Sequence, residues 1–445
     1  MNRRKFIVQS GWAASGALLF PTLLSSCKQS DLFEKNDFNG SVLIIGAGIS
    51  GLYAGELLAK QGIDFRILES QTKWGGRLRS LPQAEGSLKT SEERHIHGQF
   101  SALFDLLKHQ QATLLAETKR DRYYFNGTLQ SAEEAAQNSF FNDMLQAVAN
   151  LNEYNGAETT ALEYYTSLNL SDNIAHIYNV LAGQIYGTSA DRISAIGVSN
   201  QHQLWTAGDA SYTLKTTDLE DAISAGMANA LLKVQYNTRV SSIDYRETTI
   251  LVTDTNGQSY SCDKVLITLP LDVLKNGNID FLPALNPAKS QAIERIAIDH
   301  AHCASFQLDM PLWPAGTTRL IGPGAAQSFE VNDSGYIYAE ASGTQADQIS
   351  AQFGDPLNII TNQLESLLPG VSNHIQESAW HQWSGNRSYD SVASQNHRNN
   401  LAQPEQGKIY FAGEATHGGG HHGTLHGAME SALRATLEIL QYKTT

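Results

Sequence analysis

The stretch Ser41-Val42-Leu43-Ile44-Ile45-Gly46-Ala47-Gly48-Ile49-Ser50-Gly51-Leu52 constrains this chain more than any other. Its apolar run reads as a buried parallel strand. The run breaks directly into Gly46-x-Gly48-x-x-Gly51 and a helical pattern. Gly46 permits a tight turn, Gly48 has no Cβ to hold off a pyrophosphate, and Gly51 lets the helix pack on the strand. The helix start adds free N–H groups and a positive dipole end. The next apolar strand, Ile63-Asp64-Phe65-Arg66-Ile67-Leu68, ends at Glu69. That is near the ~20-residue spacing of an acid that binds ribose hydroxyls. The pattern predicts a βαβ unit for a dinucleotide.

The chain's 445 residues leave room for two domains or one large α/β unit. A net charge of −14 and the absence of basic patches exclude a nucleic-acid partner. The N-terminus reads as a leader and not as fold. Arg3-Arg4-Lys5-Phe6-Ile7 precedes an apolar stretch, broken by Gly, Ser and Pro21, that ends in Leu24-Ser25-Ser26-Cys27. It resembles a twin-arginine export signal with a lipoprotein cleavage box over residues 1–26. Cys27 is then the expected lipid-bearing residue, and 27–40 a polar tether. The expected location is the periplasm or cell envelope. That export route carries folded proteins, which suits a chain that must take up a cofactor first. Only Cys262 and Cys303 remain beyond Cys27, too few for a disulfide framework.

Past Glu69, Lys73-Trp74-Gly75-Gly76-Arg77 sets a flexible backbone and a cation beside the nucleotide. Residues 100–188 read as mainly helical, with Phe141, Leu145, Val148 and Leu151 as one apolar stripe and Asp172 as a helix cap. From Leu219 the pattern returns to α/β. A helix is expected over Ala222–Lys233, and strands around Val240, Ile250, Val265, Ala301–Leu308 and Tyr336–Ala341. A last strand, Lys408-Ile409-Tyr410-Phe411-Ala412-Gly413, leads to Glu414. The final helix, Leu425–Leu440, starts with small residues, and its N-terminus is placed to stabilise negative charge on a bound group.

These segments together resemble the flavin-containing amine oxidase family: monoamine oxidases, polyamine oxidases, L-amino-acid oxidases and flavin histone demethylases. The resemblance covers about residues 41–445 and rests on Gly46–Leu52 together with Phe411-Ala412-Gly413-Glu414 and Gly423-Thr424-Leu425-His426-Gly427-Ala428-Met429-Glu430-Ser431-Ala432. It implies an α/β fold: a Rossmann-like FAD-binding domain assembled from segments 41–90, 218–283 and 395–445. The interleaved α+β substrate domain takes 91–217 and 284–394. It further implies that Gly46, Ala47, Gly48, Ile49, Ser50 and Gly51 contact the pyrophosphate and that Glu69 holds the ribose. Gly76 and Arg77 line the flavin and phosphate path, and Val240 meets adenine. Gly413 and Glu414 bind the ribityl-phosphate region, and Thr424 and Leu425 lie at the flavin ring.

The chain departs from the family pattern in three places. Tyr389 matches the aromatic residue facing the flavin and Trp380 the upstream tryptophan, with Trp383 as its alternative; Thr424 stands where monoamine oxidases have a second aromatic. Ser388 occupies the site of covalent attachment through cysteine, so FAD is expected to be non-covalent. Many members carry a lysine ten residues before a tryptophan; counting back from Trp313 gives Cys303, with His302 or His300 as substitute donors. The expected reaction is oxidation of an amine or amino acid to an imine that then hydrolyses, with O2 as acceptor. The alternatives are an oxygen-independent dehydrogenase or desaturase using an envelope electron carrier, and a non-catalytic FAD-binding lipoprotein. The run His417-Gly-Gly-Gly-His421-His422-Gly-Thr-Leu-His426 raises a metal reading. Its spacing brings no matched carboxylate, and no metal is assigned. His95 and His97 fall near the cleft-lining segment.

Overall fold

A computed structural model describes residues 38–78, 96–214, 219–394 and 397–441. The leader, Cys27, most of the tether, His95 and the 217/218 boundary lie outside the described residues.

The central sheet has five parallel strands in the order Ile409–Phe411, Lys264–Ile267, Ser41–Ile45, Asp64–Leu68, Val234–Gln235. Three separated stretches of chain therefore build one sheet. Its three central-to-edge strands Ser41–Ile45, Lys264–Ile267 and Ile409–Phe411 are almost wholly buried because both faces are covered, whereas Asp64–Leu68 exposes Asp64 and Arg66. One face packs on helices Ile49–Lys60 and Leu425–Gln441, the other on the smaller sheet containing Val240–Asp244. Lys264 and Lys289 are buried ties between stretches: Lys264 Nζ donates to the Ile439 carbonyl and Lys289 Nζ to those of Asn400, Leu401 and Gln403.

The second large sheet has seven strands, ordered Ile375–Trp383, Ala301–Leu308, Tyr336–Ser342, Ser328–Val331, Arg319–Ile321, Asp121–Phe125, Thr128–Ser131. Its last two strands correct the expectation of a mainly helical 100–188. They form a hairpin about Asn126-Gly127, both at positive φ (52° and 82°), as a type I′ turn requires. That dipeptide between Tyr-Tyr-Phe and Thr-Leu-Gln was a readable signal. Helix Ser139–Leu151 buries Phe141, Met144, Ala147 and Leu151, so the stripe runs through Met144 and leaves Leu145 exposed. The helix expected over Ala222–Lys233 is two, Leu219–Gly226 and Ala228–Leu231. Asp172 makes no side-chain cap; it begins a short 3₁₀ turn. Cys262 and Cys303 are buried thiols outside any disulfide. Among the described residues no helix is long and apolar enough to cross a membrane.

Candidate active site

The glycine turn has the geometry its spacing demands. Gly46 sits at φ +105°, and a Cβ on Gly51 would lie 2.0 Å from the Gly46 carbonyl oxygen. A Cβ on Gly48 would meet nothing within 4 Å, so the backbone there is open to a ligand. Thr268, which the sequence reading did not single out, locks the turn: its hydroxyl donates to the carbonyls of Ile45 (2.9 Å) and Gly46 (3.0 Å). Ile49 and Ser50 open the helix, and Ser50 Oγ is buried without a hydrogen-bond partner. An orphaned hydroxyl beside an open glycine at a helix start is what a phosphate-bearing cofactor would satisfy.

Glu69 lies beside the same turn. Its carboxylate accepts the N–H groups of Ala47 (2.8 Å) and Gln71 (2.8 Å). Its backbone pairs with Gln235 and Thr238, which brings Val240, two residues on, to this edge. Gly76, at φ +56°, packs its Cα side against Gly48.

Glu414 ties the far end together. Arg77 reaches it at 3.2 Å and also donates to the Asn386 carbonyl. Ser388 Oγ donates to Glu414 Oε2, and the Gly423 N–H does so at 3.0 Å. Arg398, another residue the sequence reading passed over, donates to Ser388 Oγ at 2.7 Å and to Asp390 at 3.0 Å. Burial alone would raise the Glu414 pKa; Arg77, the Ser388 bond and Arg398 outweigh it and hold it below the usual carboxylate range. Gly413, at φ +124°, leaves the space beside its Cα open. Thr424 and Leu425 follow, at the start of the final helix. With Ser388 committed to Glu414 and Arg398, no thiol stands at the position of covalent attachment. The residues fit a non-covalent FAD.

The other expected residues are separated. Strand Ala301–Leu308 points successive side chains to opposite faces. Cys303 lies directly across from Glu340 on one side and His381 on the other. Glu340 accepts Asn386 Nδ2 (2.9 Å) and Arg387 (2.6 Å), so this face looks toward the Arg77–Glu414 knot. His302 points the other way, where its Nε2 meets Ser350 Oγ at 2.8 Å on helix Thr344–Ala351. Trp380 shares that far face and donates to His302 Nδ1 at 3.3 Å. Burial pushes the His302 pKa down to about 4, with His300 adding to the shift. The strand's alternation thus corrects His302 and Trp380: both belong to the helix-covered side, and Trp383 is the tryptophan on the Cys303 face. Tyr389 is buried beside the helical insert; burial, then the nearby Asp299, raises its phenol pKa, and Asp299 itself accepts the Thr188 hydroxyl. Half-buried His97 has its ring centroid 6.1 Å from Trp205 and 6.2 Å from His426.

Comparison with known proteins agrees with this geometry. The family described as "Flavin containing amine oxidoreductase" matches residues 49–440. Polyamine oxidase 4 of Oryza sativa subsp. japonica is 25% identical over 95% of this chain and 91% of its own length. The human Lysine-specific histone demethylase 2 is 27% identical over 63% of this chain but only 36% of that protein. In fold, the chain is similar to cyclohexylamine oxidase from Brevibacterium oxydans, with a TM-score of 0.72 at 17% identity over 91% of this chain and 98% of the other. A redesigned putrescine oxidase double mutant gives 0.72 at 18%, over 91% and 100%. The chain belongs to the flavin-containing amine oxidoreductase family, an FAD-dependent oxidoreductase with its cofactor held non-covalently.

Proposed function

We propose that the protein oxidises a small aliphatic amine or an amino acid to an imine, which water then hydrolyses, and that O2 reoxidises the cofactor to give H2O2. The observation that carries this reading is a chain of contacts joining the two ends of the sequence, under a family match spanning most of it: Glu69 accepts the Ala47 N–H beside the open Gly48, Gly76 approaches Gly48, and the neighbouring Arg77 reaches Glu414. The names of the relatives, polyamine, cyclohexylamine and putrescine oxidases, support an amine substrate.

Flavin, when bound, supplies the acceptor for the substrate's α-hydrogen and its electron pair. The chain supplies the rest. Gly46–Gly51 and Glu69 anchor the nucleotide end, and Glu414 with Arg77 fixes the middle. The start of helix Leu425–Gln441 sets the field at the ring. Trp383, on the face of Cys303, would wall the amine, and the burial of Cys303, Tyr336 and Tyr338 beside it excludes water. In the test, purified holoenzyme is given a panel of amines in air. One H2O2 per imine-derived carbonyl supports the reading. Carbonyl formation only when an artificial electron acceptor is added would instead favour a dehydrogenase. Cys303, where many members have a lysine, gives that second reading its footing.

We further propose that the leader directs twin-arginine export and that Cys27 carries the lipid of an envelope-attached protein. Replacing Arg3 and Arg4 with lysine should trap the full-length chain in the cytoplasm. Cys27→Ala should release the protein from the membrane fraction, and unchanged fractionation of both variants would overturn the proposal.

A further inference from the structure

The final helix carries a second buried carboxylate, Glu430, that the cofactor clasp does not use. His417 Nε2 lies 2.9 Å and His421 Nδ1 2.7 Å from the same oxygen, Glu430 Oε2. The backbone fixes where each ring holds its proton. The N–H groups of Gly419 and His421 point at His417 Nδ1, at 3.1 and 3.3 Å. The Thr206 N–H points at His421 Nε2, at 3.1 Å. A ring nitrogen that accepts an N–H carries no proton of its own. Each neutral imidazole therefore holds its proton on the nitrogen facing Glu430. Two N–H groups donate to one oxygen, an arrangement that favours the ionised carboxylate. Burial would raise the Glu430 pKa; the bonds from His417 and His421 reverse that and hold it far below the carboxylate range.

The same three residues place ligand atoms within 4.8 Å of one another, the outline of a metal triad. The proton positions speak against one. Metal on His417 Nε2 and His421 Nδ1 would drive both protons onto nitrogens that already receive backbone N–H groups. Three buried donors would lose their acceptors. The unit is instead a fixed anion. Arg434, a turn further on, is engaged with Glu438 and with the carbonyls of Ala402 and Phe411. Glu430 Oε1 is buried with no hydrogen-bond partner.

The charge sits behind the cofactor cradle. Ser431, the next residue, accepts the N–H of Gly413 at 2.8 Å. Glu430 follows Leu425 by about 7.5 Å of helix axis. We propose that Glu430, fixed as an anion by His417 and His421, lowers the reduction potential of the flavin at the start of this helix. The proposal rests on the placement of the flavin ring at Thr424 and Leu425. FAD that accepts a hydride, one proton with an electron pair, becomes FADH⁻. With the ring held at the start of this helix, the added negative charge would be repelled by Glu430 further along it, opposing the stabilisation that the helix N-terminus gives.

The test is the midpoint potential of the holoenzyme, wild type against Glu430→Gln, from dye-equilibrated reductive titration. Glutamine keeps an oxygen for both imidazoles and places its NH2 where Oε1 has no partner. The expected result is a more positive potential in E430Q. At about 10 Å and an effective dielectric of ~20, the oxidised-to-reduced ratio at fixed potential should fall roughly ten-fold. His417→Gln, which keeps both the charge and an N–H donor, should retain the wild-type potential. A merely structural Glu430 would leave the potential where it is, and an unchanged or more negative potential in E430Q overturns the proposal. Should E430Q fail to fold, ¹⁵N-histidine NMR of the wild-type holoenzyme decides. Neutral Nε2–H at His417 and Nδ1–H at His421 support the anion, whereas an imidazolium at either site or stoichiometric bound metal overturns it. A wild-type protein that takes up no FAD would break the cofactor assignment instead, and so is distinguishable.

Discussion

Two buried glutamates on the last stretch of chain are treated in opposite ways. Glu414 meets cations: Arg77 directly, and Arg398 through Ser388. Glu430 meets two neutral imidazoles. Both are ionised, but only the first has its charge cancelled. The difference teaches that burial does not dictate what a carboxylate does. Glu414 is a knot that joins the first and last stretches. Glu430 keeps a net charge, and its effect is exerted at a distance.

The largest expected effect would break the knot. Glu414→Gln strands the positive charge of Arg77 and turns one of the two oxygens that accept Arg77, Ser388 and the Gly423 N–H into an NH2 donor. Losing one partner of a buried pair costs about 3–5 kcal/mol. Urea unfolding of E414Q should show that loss together with loss of bound FAD. E430Q strands no cation and should cost less than half as much; equal losses would erase the distinction. Gly51→Ala comes next. Its Cβ would lie 2.0 Å from the Gly46 carbonyl, so the turn that brings the two stretches together must shift. Overpacking of this kind costs about 1–3 kcal/mol, read as a lower urea midpoint.

Acid sharpens the comparison further. His302, His422 and His426 stay neutral when folded, with His302 pushed down by burial to about 4. Unfolded, each takes a proton below its ordinary value of 6.5, so stability should begin to fall as pH drops through 6.5. Glu414 and Glu430 have lowered folded values. Their contribution is complete above their unfolded value of 4.5 and is lost as pH falls below it. Stability of the wild type against pH should thus decline in two stages, and E430Q should flatten the lower stage alone. A curve flat from pH 7 to 5 would contradict the histidine part. The smallest effect on stability is expected for Gly48→Ala, whose Cβ meets no protein atom within 4 Å. The apoprotein should melt like wild type while FAD binding weakens; an unchanged FAD affinity would move the pyrophosphate elsewhere.

The parts of this site that were readable in the sequence are those set by local backbone demands. Gly46, Gly48 and Gly51 each need a conformation or a clearance that a side chain forbids, so their spacing carries geometry. Glu69 follows a strand that alternates exposed and buried residues, and Glu414 closely follows the wholly buried run Ile409–Phe411. The parts that were not readable depend on pairing. Which way His302 and Cys303 point follows from the register with Tyr336–Ser342 and Ile375–Trp383, and the composition of the strand does not encode that. Glu430 left a faint trace as an acid amid the small residues of an otherwise buried helix. Its histidine partners are brought to it by a glycine-rich loop whose path no periodicity reports. The Asn126-Gly127 hairpin was local and legible, but lay inside a stretch dominated by helical spacing.

The anaerobic visible spectrum of the purified protein tests the bound flavin and its reduction by an amine most directly. With bound FAD and a panel of amines and amino acids, the yellow flavin bands should bleach with at least one of them, at one substrate per flavin. A colourless protein that stays so after refolding with FAD, or a flavin whose bands none of the panel diminishes, would contradict the proposed function.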